Sequence, residues 1–132
     1  MPTVLTPYLM VTGAAEAIDF YTRAFGAVET SRITMEDGRI GHAEMRVGDA
    51  TFFLADESPQ QVPNMRGPST LGATTVSLHL LVPDVDAVFQ RAVDAGATPE
   101  RPVADQPYGE RTGVVVDGFG HRWFIATEIR PT

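Results

Sequence analysis

Hydrophobic positions follow two rhythms along this chain. Over residues 14–25, Ala17, Ile18, Tyr21 and Phe25 fall on one face of a helix. Over residues 84–95, Val85, Val88, Phe89 and Ala92 repeat that face. Gly26 and Gly96 stand where a left-handed glycine would end each helix, and Asp84 is placed to cap the second one. Elsewhere the pattern alternates with a period of two and predicts strands near 3–11, 28–34, 40–47 and 50–56. A second set is predicted near 75–82, 98–103, 112–116 and 121–128. Asp37-Gly38, Gly48-Asp49 and Asp117-Gly118-Phe119-Gly120 supply turns. Ser58 to Pro68, rich in Pro, Gly and polar residues, reads as a connecting loop.

The two sets run in the same order. Leu9-Met10-Val11 matches Leu80-Leu81-Val82, Ala24-Phe25-Gly26-Ala27 matches Asp94-Ala95-Gly96-Ala97, and Phe52-Phe53-Leu54-Ala55 matches Trp123-Phe124-Ile125-Ala126. The expected fold class is therefore α+β, with two βαβββ modules in a single domain covering 1–132. The first module spans about 1–57, a loop 58–73, and the second module about 74–132. Each helix must cover one face of its sheet. The other face is left to line a cleft between the halves.

These segments resemble the vicinal oxygen chelate superfamily, which holds glyoxalase I, bleomycin-resistance proteins and extradiol dioxygenases. Ala17-Ile18-Asp19-Phe20-Tyr21-Thr22-Arg23-Ala24-Phe25-Gly26 looks like its first-helix signature. Val82-Pro83-Asp84-Val85-Asp86-Ala87 looks like the start of its second helix, and Asp117-Gly118-Phe119-Gly120-His121-Arg122-Trp123 is similar to the turn before its last strand. Gly118 stands where that turn usually has proline. The resemblance implies a glyoxalase-like or bleomycin-resistance-like protein that pairs as a homodimer. It does not fix a reaction, because one fold hosts many chemistries.

Metalloenzymes of that superfamily ligate a divalent ion from the first and last strand of each half. The matching positions here are Thr6, Phe53, Ser77 and Phe124. Phenyl rings cannot ligate such an ion, and one Thr with one Ser is a feeble set. The expectation is no cofactor and no metal at the usual place. Lactoylglutathione lyase and extradiol dioxygenase activities are disfavoured accordingly. Phe53 and Phe124 instead suggest an apolar floor for a flat, hydrophobic ligand.

Other chemistry is sparse. His79 shares a strand face with Ser77, and Tyr8 shares one with Thr6. His42, Glu44 and Arg46 alternate with Ala43, Met45 and Val47. They form either a solvated strand face or acid–base groups, and His42, Glu44 and His79 are the catalytic candidates. A divalent metal held at these unusual positions is the rarer alternative. Asp105-Gln106-Pro107-Tyr108-Gly109-Glu110-Arg111 resembles a loop over the cleft mouth in one branch of the superfamily. There Tyr108 would stack on a ligand and Arg111 would grip an anion, or Arg111 would pair with Asp117 or Glu110. Trp123 should pack in the core, and His121 should be structural or exposed.

Composition narrows the classes. The 132 residues contain no cysteine and no lysine and carry a net charge of −7. Disulfides, thiolate metal sites and a catalytic thiol are excluded. A nucleic-acid partner is set aside because the arginines are scattered. No apolar run reaches a membrane span. Met1 to Thr6 lacks the basic and apolar parts of a signal peptide, so a cytoplasmic location is expected. The favoured function is sequestration of a small, aromatic or hydrophobic molecule. An isomerase or lyase is the alternative.

Overall fold

A computed structural model describes residues 1–58 and 65–129. The elements run β1 (Tyr8–Val11), α1 (Ala14–Phe25), β2 (Val28–Thr34), β3 (Ile40–Val47), β4 (Ala50–Asp56), α2 (Pro68–Leu71), β5 (Ser77–Leu81), α3 (Val85–Asp94), β6 (Thr98–Asp105), β7 (Glu110–Val116) and β8 (Arg122–Glu128). They build two four-stranded sheets of identical order, β1-β4-β3-β2 and β5-β8-β7-β6. In each sheet the first strand runs parallel to the last, and the remaining pairs are antiparallel. Helix α1 or α3 supplies the crossover that a parallel pair requires. The expected α+β duplication is therefore the fold.

Several boundaries differ from the expected ones. β1 begins at Tyr8 rather than near Thr3. Pro7 has no N–H to give, although its carbonyl still accepts from the Phe53 amide at 2.9 Å. β5 begins at Ser77 rather than at 75 and ends just before Val82 and Pro83. β6 and β7 run longer than expected because their hairpin closes tightly, with Gln106 N–H on the Glu110 carbonyl at 2.7 Å. Pro99 and Pro102 are tolerated because β6 is an edge strand. The connecting loop contains the short helix α2, which the composition did not announce. Residues 59–64 of that loop lie outside the described residues.

The duplication extends to the way each module anchors its helix. Gly13 precedes α1 and has no side chain to cap it. Asp56, at the end of β4, takes over: its Oδ1 accepts from the Gly13 and Ala14 amides at 2.9 and 2.8 Å, and Oδ2 accepts from Ile40 N–H at 2.8 Å. Thr127, at the matching place in β8, accepts from Val85 N–H at 2.8 Å and donates to the Val82 carbonyl at 2.8 Å. Asp84 also caps α3, accepting from Ala87 N–H at 3.2 Å.

One core joins the two halves. Phe20, Tyr21, Phe25, Phe52 and Trp123 are buried together, with the Phe25 and Trp123 rings 4.6 Å apart. Trp123 is thus a core residue, as its alternation predicts. Helices α1 and α3 exchange bonds at their ends: Arg91 Nε donates to the Arg23 carbonyl at 2.6 Å, and Arg23 Nη1 to the Ala95 carbonyl at 3.2 Å. This packing uses the helix-facing side of each sheet. The opposite sides are covered by neither α1 nor α3, and they hold the polar chemistry; the short α2 borders only the β1 edge of the first.

Candidate functional site

Strand register assigns the open face of the first sheet. Tyr8, Phe53 and Glu44 lie in one row across β1, β4 and β3, and His42 lies in the next row with Ile33. The Tyr8 hydroxyl is 2.7 Å from His42 Nδ1, and His42 Nε2 is 3.0 Å from Glu44 Oε2. The three rings of Tyr8, His42 and Phe53 meet edge to face, at centroid distances of 5.0 to 5.6 Å. Partial burial pushes the Tyr8 phenol above its ordinary range, and the nearby Glu44 charge adds to the rise. The phenol therefore holds its proton at neutral pH. Arg46, next along this face, reaches only the Gly48 carbonyl, at 3.4 Å.

The second sheet repeats the arrangement with different residues. His79 lies opposite Phe124, which lies opposite Val114. His79 Nε2 is 3.0 Å from Glu110 Oε1, and the Thr112 hydroxyl approaches the same oxygen at 3.5 Å. Tyr8 and His79 thus hold corresponding places, each opposite a phenylalanine. Glu110 lies outside the strand expected over 112–116, so spacing alone gave it no face. The tight Gln106–Glu110 closure brings it into β7 and beneath His79.

Between the modules, at the start of β1 and β5, lies a cavity of about 390 Å³. Thr6, Ser77 and His79 line it together with Leu5, Phe52 and Val76. The structure thus brings three of the expected cleft residues together. Phe53 and Phe124 are not in its wall. Phe53 packs on Tyr8 and His42, and no ring contact joins it to Phe124 among the described residues.

Arg111 is placed differently from either expectation. It alternates with Thr112 onto the helix side of its sheet, away from His79 and Phe124. Its Nε and Nη2 grip both oxygens of Asp86 at 2.9 and 3.0 Å, and Nη1 holds Asp105 at 3.0 Å. Asp117 and Glu110 are not its partners: Asp117 serves the buried Tyr21 and Trp123 instead. The double pairing raises the Arg111 pKa further and holds the Asp86 carboxyl below its usual range. Tyr108 lies in the turn between β6 and β7 and is half-exposed. His121 is buried and structural, its Nε2 2.9 Å from the Met10 carbonyl.

The positions that would hold a metal do not suit one. Thr6 and Ser77 offer hydroxyls, and Phe53 and Phe124 offer only carbon. Among the described residues, no group of three or more His, Asp or Glu side chains is arranged to hold an ion.

Two equivalent βαβββ sheets, with chemistry on the faces away from their helices, define the class. The chain belongs to the Glyoxalase/Bleomycin resistance protein/Dioxygenase superfamily, whose sequence profile matches residues 3–125. It is 47% identical over 127 residues to the uncharacterized protein Mb0911c of Mycobacterium bovis, covering 96% of this chain and 84% of that one. Among solved structures it is similar to TioX from Micromonospora sp. ML1, with 28% identity and a TM-score of 0.76 over 96% of this chain and 99% of the other. The Arabidopsis thaliana At5g48480 product is similar at 26% identity and a TM-score of 0.73, over 96% and 99%. No described helix is long and apolar enough to cross a membrane.

Proposed function

We propose that this protein binds a small aromatic or hydrophobic molecule on the open faces of its sheets, without a metal. The observation that carries this reading is the Tyr8–Phe53–His42 ring cluster. It presents edge-to-face aromatic surface on the sheet face opposite α1. Such rings stack on flat guests for about 0.5–1.5 kcal/mol beyond simple burial. The apolar cavity at the start of β1 and β5 supports the same reading. Leu5 and Val76 are 96% and 66% exposed there, an unusual cost for a surface that covers nothing. A second copy of the chain, set against these faces, would close the cleft. The matching test is molar mass in solution by light scattering, with a monomer alone counting against it.

The binding test is a thermal-shift screen of planar aromatics against the wild type and Phe53→Ala. Stabilisation by at least one compound, lost in the variant, supports the reading. Equal shifts in both proteins contradict it.

A second reading, an acid–base enzyme, is favoured by one feature. Tyr8, His42 and Glu44 form a hydrogen-bonded chain in which a base is oriented by a carboxylate, as proton-transfer sites require. Under this reading His42→Ala or Glu44→Gln abolishes turnover while ligand binding survives. Sequestration alone leaves no turnover to abolish.

A further inference from the structure

Both sheets set a hydrogen-bond acceptor beside a phenyl ring at the same place in the duplication. In the first sheet the polarity follows from the carboxylate. Glu44 has no proton to donate, so the hydrogen in its 3.0 Å contact belongs to His42 Nε2. In the neutral imidazole His42 Nδ1 is then a bare lone pair, and the 2.7 Å contact is the Tyr8 hydroxyl donating to it. A phenol has a single hydrogen. With that hydrogen committed to His42, the Tyr8 oxygen can only accept from a guest lying against Phe53.

The second sheet reaches the same polarity by a shorter route. Glu110 takes the His79 Nε2 hydrogen at 3.0 Å, which leaves Nδ1 of the neutral ring as an acceptor beside Phe124. No hydrogen bond occupies Nδ1 among the described residues, and the His79 side chain is 50% exposed. Of the cations near these faces, Arg101 competes directly: it lies opposite Val114, in the row of Phe124 and His79, and holds no hydrogen bond among the described residues. Two others are engaged. Arg111 is on the opposite side with Asp86 and Asp105, and Arg122 holds Glu100 at 2.8 Å. On the first sheet's open face Arg46 has a single long bond to the Gly48 carbonyl, and Arg66 borders a cavity with Tyr8, so both compete there.

We propose that the ligand is an aromatic compound bearing a ring hydroxyl or amino donor, of the phenol or arylamine class. Its ring lies on Phe53 or Phe124, and its donor is received by Tyr8 Oη or His79 Nδ1. This rests on the reading that the open faces bind aromatic molecules, and it adds which aromatics. A site built to satisfy a donor rejects the analogue that lacks one, because its own acceptor is then desolvated without a partner.

The test uses three probes of one shape: 2-naphthol, 2-methoxynaphthalene and 2-naphthoate. Dissociation constants are measured at pH 8 by NMR titration, reading shifts at the Phe53 and Phe124 rings separately. The inference expects 2-naphthol to bind about ten-fold tighter than its methyl ether, the size of one net hydrogen bond. Tyr8→Phe should erase that preference at Phe53 and leave it at Phe124. Glu44→Gln, which frees the His42 tautomer, should reduce it at Phe53 without removing a contact to the guest. Independently of any ligand, imidazole nitrogen shifts should show the Nε2–H form for both His42 and His79.

Equal affinity for naphthol and its ether overturns this inference and leaves the binding reading standing. Failure of all three probes to bind removes both. Preference for 2-naphthoate overturns it in favour of anion capture, by Arg46 or Arg66 at the first sheet or by Arg101 at the second. An Nδ1–H tautomer at His42 overturns it at the first sheet without any ligand.

Discussion

The Tyr21 hydroxyl donates to Asp117 Oδ2 at 2.6 Å, joining the helix of one module to a turn of the other. Asp117 is 4% exposed, and it also takes Trp123 Nε1 at 2.9 Å and the Phe119 and His121 amides at 2.8 and 3.0 Å. One carboxylate thereby satisfies four donors inside the core. The Asp-Gly-Phe-Gly turn is thus a fastening between halves.

Asp117→Ala should be among the most damaging single changes. It strands the buried Tyr21 hydroxyl and Trp123 indole, at about 1–3 kcal/mol per unsatisfied group. Urea denaturation should show a loss of several kcal/mol, and Trp123 fluorescence should report the exposure. A loss below 1 kcal/mol would mean that Asp117 does not fasten the core.

Tyr21 predicts an alkaline limit. Burial, with the Asp117 charge and hydrogen bond behind it, pushes its phenol well above the ordinary 10.0. The folded pKa is raised, so the protonated form is favoured by folding. That stability is complete below about pH 10 and falls as pH rises further. Thermal melts between pH 9 and 11.5 should show the decline, and Tyr21→Phe should flatten it. An equally steep fall in Tyr21→Phe would assign the alkaline loss to another group.

The two helix anchors should differ in weight. Asp56→Ala removes the acceptor for three amides at the start of α1 and β3, and should cost about 2 kcal/mol, the upper end for a lost cap. Thr127→Val removes the acceptor for Val85 N–H, while Asp84 still caps α3. It should cost less, about 1 kcal/mol. Denaturation midpoints of the two variants give the order directly.

The fold was largely legible because its signals are local and repeated. The 3.6-residue rhythm of α1 ends at Gly26, and the structure begins and ends α1 at Ala14 and Phe25. The alternation of β2, β3 and β4 gave their limits as observed. What escaped the pattern depends on contacts distant in the chain. Period-two alternation puts His42 and Glu44 on one face, but it cannot show that the Tyr8 hydroxyl, 34 residues away, meets His42. Glu110 lay hidden for a different reason: Pro107 and Gly109 read as loop, which placed it outside a strand. The loop-like neighbours of Arg111 leave it open between a ligand contact and an ion pair. A strand that starts at Glu110 turns Arg111 to the helix side, where Asp86 holds it.

Arg111 therefore offers a control. Arg111→Ala should leave ligand affinity unchanged, since its guanidinium faces α3. It should weaken stability chiefly above the ordinary range of Asp86, whose depressed pKa makes the pair's contribution present at neutral pH and lost in acid. Calorimetry of ligand binding separates the two effects. A large loss of affinity would return Arg111 to the binding site.

Metal-free recognition of an aromatic molecule on the Tyr8–Phe53–His42 surface, as proposed, can be measured in solution. The most direct measurement is calorimetric binding of a hydroxylated planar aromatic to wild type and Phe53→Ala, each with and without a strong chelator. Saturable binding that the chelator leaves unchanged and that Phe53→Ala weakens about ten-fold is the predicted result. Binding that vanishes with the chelator, or that Phe53→Ala leaves intact, would contradict metal-free recognition at this surface.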